Sequence, residues 1–186
     1  VAVGFAALDV STTASNNTAI GSGTLGLNTS GSENTAVGAY VLDANTTAAN
    51  NTAVGYAALS INTTGIQNTA VGSLALDDST TGAYNTAVGY GAATANTTGA
   101  YNTAIGSSAF AVNTTGGYNV AVGALALDAN TTASSNTAVG YGTLSANTTG
   151  PNNTAVGYAA LLGTTTGQQN VSVGVNSLGV NTTASY

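Results

Sequence analysis

The chain has 186 residues and a formal net charge of −6, because it contains six acidic residues and no Lys, Arg or His. Without a cation it has nothing to neutralise phosphates, which excludes nucleic-acid binding and basic attachment to anionic lipid. The absence of Cys excludes a disulfide framework, and no apolar run is long enough to insert into a membrane as a helix. Trypsin has no Lys or Arg at which to cut, which suits the extracellular location that we expect: cell surface, secreted filament or virion.

One unit of 17 residues recurs along the whole chain without insertion or deletion. Its consensus is Asn-Thr-Ala-Val-Gly-x-x-Ala-Leu-x-x-Asn-Thr-Thr-Gly-x-x, and the first Asn is taken as position one. A strict period of this length predicts stacked supersecondary units. We expect residues 1–186 to form a single repeat domain, a fragment of a longer array or a segment of a polymer.

The unit is too short for two helices and a turn, and it is rich in Thr, Val, Gly and Asn, which favour strands and turns. Two short extended stretches, separated by Val-Gly and Asn-Thr-Thr-Gly turn signals, would each pair in parallel with the same stretch of the next unit. The predicted fold is all-β, a parallel β-solenoid (β-roll) of eleven coils. With coils about 4.8 Å apart, it would form a rod about 50 Å long.

Alternation along the extended stretches predicts which side chains face the core. Position four is Val or Ile in every unit and is predicted to point inward, with position two on the same face and Leu at position nine as the second core column. The unbroken Gly at position five indicates a backbone angle that only Gly adopts cheaply, or a place too tight for a Cβ. Position fifteen is Gly or Ala, which indicates a demand for small size.

Two polar columns are predicted to form ladders from coil to coil. Hydroxyls of the unbroken Thr at position thirteen form one of them. The other is a ladder of side-chain amides at position one, formed by Asn17, Asn34, Asn51, Asn68, Asn85, Asn102, Asn119, Asn136, Asn153 and Asn170.

Position twelve carries a second set of asparagines, each of which begins an Asn-x-Ser/Thr sequon. Glycans attached there would sheathe one edge of the rod; the other interpretation is a turn residue repeated with its unit. The candidate attachment sites are Asn28, Asn45, Asn62, Asn96, Asn113, Asn130, Asn147 and Asn181.

Tyrosines also recur at fixed positions. Tyr84, Tyr101 and Tyr118 occupy position seventeen of three consecutive units, and four others stand at position six. Such stripes would stack on cell-surface sugars or pack against a neighbouring chain.

We expect no enzymatic activity and no metal or other cofactor. A Ser or Thr nucleophile needs a base, and the chain offers neither His nor Lys. The adjacent Asp77 and Asp78 would face opposite sides of a strand. The Gly-Gly-x-Gly-x-Asp nonapeptide of calcium-binding β-rolls is absent.

The stretch Asn-Val-Ala-Val-Gly at residues 119–123 and the Asn-Thr-Ala-Ile-Gly units at Asn17 and Asn102 resemble the head repeats of trimeric autotransporter adhesins. The longer Asn-Thr-Ala-Val-Gly-Tyr-x-Ala-Leu pattern, at 51–59 and 153–161, is similar to arrays in bacteriophage tail fibres. The adhesin resemblance implies a left-handed β-roll of three chains wound side by side at a bacterial surface. The repeat here is longer, because the Asn-Thr-Thr-Gly segment is additional.

These patterns predict a structural extracellular fibre: a stiff, protease-resistant rod that self-associates, as a homotrimer or end to end, with weak multivalent surface binding. A core of one Val and one Leu per coil is thin, which also favours association. Two alternatives remain. One is ice binding by arrays of Asn at position twelve and Thr at position fourteen; the other is host-glycan binding through the tyrosine stripes.

Overall fold

The computed structural model describes residues 1–185, and these form a parallel β-solenoid. Eleven short strands stack in chain order into one sheet, and every neighbouring pair is parallel. The register pairs each residue with the one 17 positions later, as in Thr86 with Thr103. This confirms the predicted fold. The strands are β1 (Ala2–Val3), β2 (Thr18–Ile20), β3 (Thr35–Val37), β4 (Thr52–Val54), β5 (Thr69–Val71), β6 (Thr86–Val88), β7 (Thr103–Ile105), β8 (Val120–Val122), β9 (Thr137–Val139), β10 (Thr154–Val156) and β11 (Val171–Val173).

Each described coil contains one strand rather than the two extended stretches predicted. The strand covers positions two to four, and the rest of the coil is built of turns. Positions seven and nine lie in the left-handed region, as Ala57 and Leu59 do with φ of 53°, and these angles interrupt an extended backbone. Coil-to-coil bonding continues through the turns nonetheless: Leu59 N–H donates to Ala75 O at 3.0 Å and Thr63 N–H to Thr80 O at 3.0 Å.

The prediction that Val at position four points into the core is wrong. The inward residue of the strand is Ala at position three, which is fully buried in β6 as Ala87, while Val88 beside it is half-buried on the outer face. Leu at position nine and the small residue at position eight complete the apolar core, as Leu76 and Ala75 do with no exposed surface. The coil is narrow, and the Leu at position nine fills the space opposite the strand. Position three therefore has room only for a small side chain, which is Ala in most coils and Ser172 in β11.

The Gly at position five meets both conditions that the sequence indicates. Gly89 has φ of 137°, which side chains rarely adopt, and an added Cβ would lie 2.6 Å from the carbonyl oxygen of Gly106 in the next coil. Position fifteen has no positive φ and is buried in the inner coils, where Ala48 and Ala133 occupy it in place of Gly. The demand there is for small size, as predicted.

Candidate functional surfaces

The asparagines of position one lie inside the coil and join successive coils. Asn102 accepts a hydrogen bond at its Oδ1 from the backbone N–H of Asn119 at 2.9 Å, and its Nδ2 donates to the carbonyl oxygen of Gly116 at 2.9 Å. The N–H to Oδ1 bond recurs at 2.9–3.0 Å between every successive pair of these residues from Asn17 to Asn170. The ladder therefore runs mainly between side chain and backbone, with direct amide–amide bonds at three steps.

The asparagines of position twelve form a second internal column. Asn113 Nδ2 donates to Gly116 O in its own coil at 3.1 Å and to Asn96 Oδ1 in the preceding coil at 2.6 Å. The carbonyl of position fifteen thus accepts bonds from both columns. These bonds compensate for the burial of two polar amides in most coils, which would be costly without partners. Within residues 1–185, the buried amide atoms of the two columns that lack a partner are Asn45 Oδ1, Asn136 Nδ2 and Asn170 Oδ1.

Burial of position twelve bears directly on the candidate glycan sites. Seven of the eight have no exposed surface, namely Asn28, Asn45, Asn62, Asn96, Asn113, Asn130 and Asn147. An N-linked glycan is attached through Nδ2, the atom that these residues turn inward onto a backbone carbonyl. The folded coil has no room for a sugar there. Asn181 is partly exposed, and its glycosylation stays a prediction.

The hydroxyls of position thirteen form the third ladder. Each donates to the backbone carbonyl of the corresponding Thr in the next coil, as Thr97 Oγ1 does to Thr114 O at 2.9 Å. The bond recurs from Thr12 to Thr165.

Tyr84, Tyr101 and Tyr118 stack on one another along the rod. Their ring centroids are 4.7 and 5.0 Å apart, with planes within 2° and 5° of parallel. The rings therefore cover one another's faces and present mostly their edges to solvent, although each side chain is 42–65% exposed. Stacking on a sugar would use the outer faces of the two end rings. Ligand stacking by this stripe stays a prediction.

The position-six tyrosines are less regular. Tyr141 and Tyr158 are stacked at 5.5 Å, while Tyr56 meets Tyr40 edge-on at 6.1 Å. Tyr90 is 61% exposed.

The acids lie on the turns. Partial burial raises the pKa of Asp43 and of Asp128, and burial together with the neighbouring Asp77 carboxylate raises the pKa of Asp78. The Ser60 hydroxyl donates to the Asp77 carboxylate. Residues 1–185 contain no cluster of three side chains able to hold a metal, and their surface has no pocket. No helix long and apolar enough to span a bilayer occurs in that range.

One surface was missed by the sequence reasoning. Because position three points inward, Thr at position two and Val or Ile at position four point outward together, and we call these two columns the strand face. The alternation Thr-Ala-Val contains the signal, since the small middle residue suits a narrow interior. The array of positions twelve and fourteen expected for ice binding does not form, because position twelve is buried while position fourteen is exposed.

No protein-family profile, curated protein or solved structure matches the chain.

Proposed function

We propose that the chain is a structural element, a stiff rod that forms the shaft or head of an extracellular fibre. The observation that carries the proposal is the unbroken coil-to-coil bonding. Every strand pairs with its neighbour in the same register, and the same internal asparagine bonds recur through the stack. Such a stack is quasi-one-dimensional, so adding coils lengthens it without changing its cross-section.

Stiffness follows from the number of links between coils. Each internal step is bridged by strand bonds, turn bonds, an Asn column and a Thr column, so bending the rod strains several hydrogen bonds at once. The bonds of successive steps are linked to one another, so we expect them to open together rather than one at a time.

Spin labels measure this stiffness directly. The chain has no Cys, so Thr47→Cys and Thr149→Cys, both exposed at position fourteen and six coils apart, give two unique labels. Six coils correspond to about 29 Å. We expect pulsed electron resonance to give one narrow distance distribution near that value. A broad distribution, or one centred far from it, contradicts a stiff rod.

Self-association is part of the proposal. Large apolar side chains at position eleven are exposed in several coils, among them Leu27 at 54% and Val112 at 44%, and the low charge opposes close approach weakly. The adhesin-like motifs favour three chains side by side. Sedimentation equilibrium tests this: we expect three times the chain mass of 17.7 kDa, and a monomer at high concentration overturns it.

The extracellular location is supported by the absence of Lys and Arg, which removes every trypsin site. Antibody labelling of intact cells or particles from the source is the test. Labelling that appears only after the cells are opened argues against this location.

A further inference from the structure

The strand face is a regular, half-buried surface made of two adjacent columns. Over the inner coils every residue of it is β-branched and uncharged. The six acids stand at other positions of the unit. Its two columns are Thr18, Thr35, Thr52, Thr69, Thr86, Thr103, Val120, Thr137 and Thr154, beside Ile20, Val37, Val54, Val71, Val88, Ile105, Val122, Val139 and Val156.

The threonine hydroxyls of this face are free. Within residues 1–185, the Thr hydroxyls that form hydrogen bonds belong to positions eight, ten, twelve and thirteen, as in Thr143, Thr94, Thr164 and Thr97, and none belongs to position two. Each hydroxyl of the face therefore has its donor and acceptors available to water or to a ligand.

The side chains form a fixed two-dimensional grid. Parallel strands in register place equivalent hydroxyls about 4.8 Å apart along the rod, and the Thr and Val columns lie about 7 Å apart across it. β-Branched side chains have restricted χ1 angles, so the grid has little rotational freedom. Side-chain ladders are the feature that holds large sheets flat, and this rod has three of them inside or beside the sheet.

We propose that the strand face binds ice. Rows of methyl groups hold a layer of water that they cannot hydrogen-bond, while the free hydroxyls anchor that layer at regular intervals. A crystal of water presents a repeating lattice, so each added coil adds the same contact. The lack of charge on the face matters because a charged group would reorient the first water layer away from the lattice.

The dimensions of the face favour ice over a protein partner. Two columns across nine coils cover roughly 450 Å², below the ~800 Å² per partner of a standard interface. The face has no pocket, and its uniform repeat gives a folded partner no distinctive feature to recognise. This inference does not depend on the fibre's extracellular location.

Thermal hysteresis of the purified protein is the test, with ice-crystal shape as a second readout. The face variant is Thr86→Lys with Thr103→Lys, which places two charges in the middle of the grid. The matched control is Thr98→Lys with Thr115→Lys, which adds the same charges at exposed position fourteen of the same two coils. Melting curves by circular dichroism establish that both variants remain folded.

We expect the unaltered protein to depress the freezing point below the melting point and to shape ice crystals. The face variant loses most of this activity, and the control retains it. Absence of hysteresis in the unaltered protein, or equal loss in both variants, overturns the proposal. If the unaltered protein shows no hysteresis but forms a dimer, and only the face variant is monomeric, the strand face is instead the contact with a second copy.

Discussion

The side-chain amides of Asn102 and Asn113 donate to one carbonyl oxygen, that of Gly116, at 2.9 and 3.1 Å. All three residues belong to the coil of residues 102–118, in which the two amides stand at positions one and twelve and the acceptor at position fifteen. The two internal columns are therefore coupled through the backbone carbonyl of position fifteen, which is buried.

Replacing both amides should cost more than the sum of the single replacements. Asn102→Ala leaves the buried N–H of Asn119 without its partner, at a cost of about 1–3 kcal/mol. With Asn113→Ala added, the Gly116 carbonyl loses its second donor, and we expect a coupling of about 0.5–3 kcal/mol. Denaturant unfolding of the unaltered protein, the two single variants and the double variant measures this coupling. Thr98→Ala, at an exposed position, is the control with almost no effect; strict additivity would contradict the shared acceptor.

Two glycines with positive φ, one at position five and one at position seven of the unit, test whether close approach of the backbone is what excludes a side chain. Gly89→Ala introduces a Cβ 2.6 Å from Gly106 O at a φ of 137°, so it should destabilise by roughly 2–6 kcal/mol. Gly142 has φ of 60° and open space around it, and Ala57 and Ala159 adopt that angle at the same position. Gly142→Ala should change stability by less than about 1 kcal/mol. Thermal melting measures the stability of both variants. Similar losses of stability would contradict the explanation that the backbone of the next coil lies too close to Gly89 for a Cβ.

The direction of the strand's side chains can be tested with one pair of neighbours. Ala87→Val adds two methyl groups to a filled interior and should cost about 1–3 kcal/mol. Val88→Thr places a hydroxyl on the outer face, where water solvates it, and should change stability by about 0.5 kcal/mol or less. The urea midpoints of the two variants measure these losses of stability. The reverse order of effects would restore the inward assignment of Val.

That pair also shows what the sequence could and could not predict. The period and the Thr, Gly and Asn content were sufficient for a parallel β-solenoid, because a register kept across eleven units has few other physical solutions. The sequence did not predict the direction in which Val88 points, because the rule that large apolar residues are buried ignores the width of the coil. The burial of Asn113 was missed for a related reason: a sequon in a turn signal suggests exposure, and its internal acceptors become visible only once the coils are stacked.

Acidification should stabilise the rod, contrary to the usual acid denaturation. Burial raises the pKa of Asp43, Asp78 and Asp128 above 3.8, so the folded state holds protons that the unfolded chain releases. Stability therefore falls as pH rises through that interval and is greater near pH 4 than at pH 7. Melting temperatures at low protein concentration measure the trend. The variant carrying Asp43→Asn, Asp78→Asn and Asp128→Asn should flatten it; a profile that falls on acidification in the unaltered protein opposes this explanation.

The most direct test of the rod is to double it. Two copies of residues 1–186 joined through one Asn restore the 17-residue period across the junction, because Tyr186 stands at position seventeen and Val1 at position two. Small-angle X-ray scattering then measures length and cross-section. A continuous solenoid predicts that the maximum dimension grows by about 50 Å while the cross-section stays constant. Growth of the overall radius by only about 1.3-fold, as for a globule of twice the mass, would contradict it.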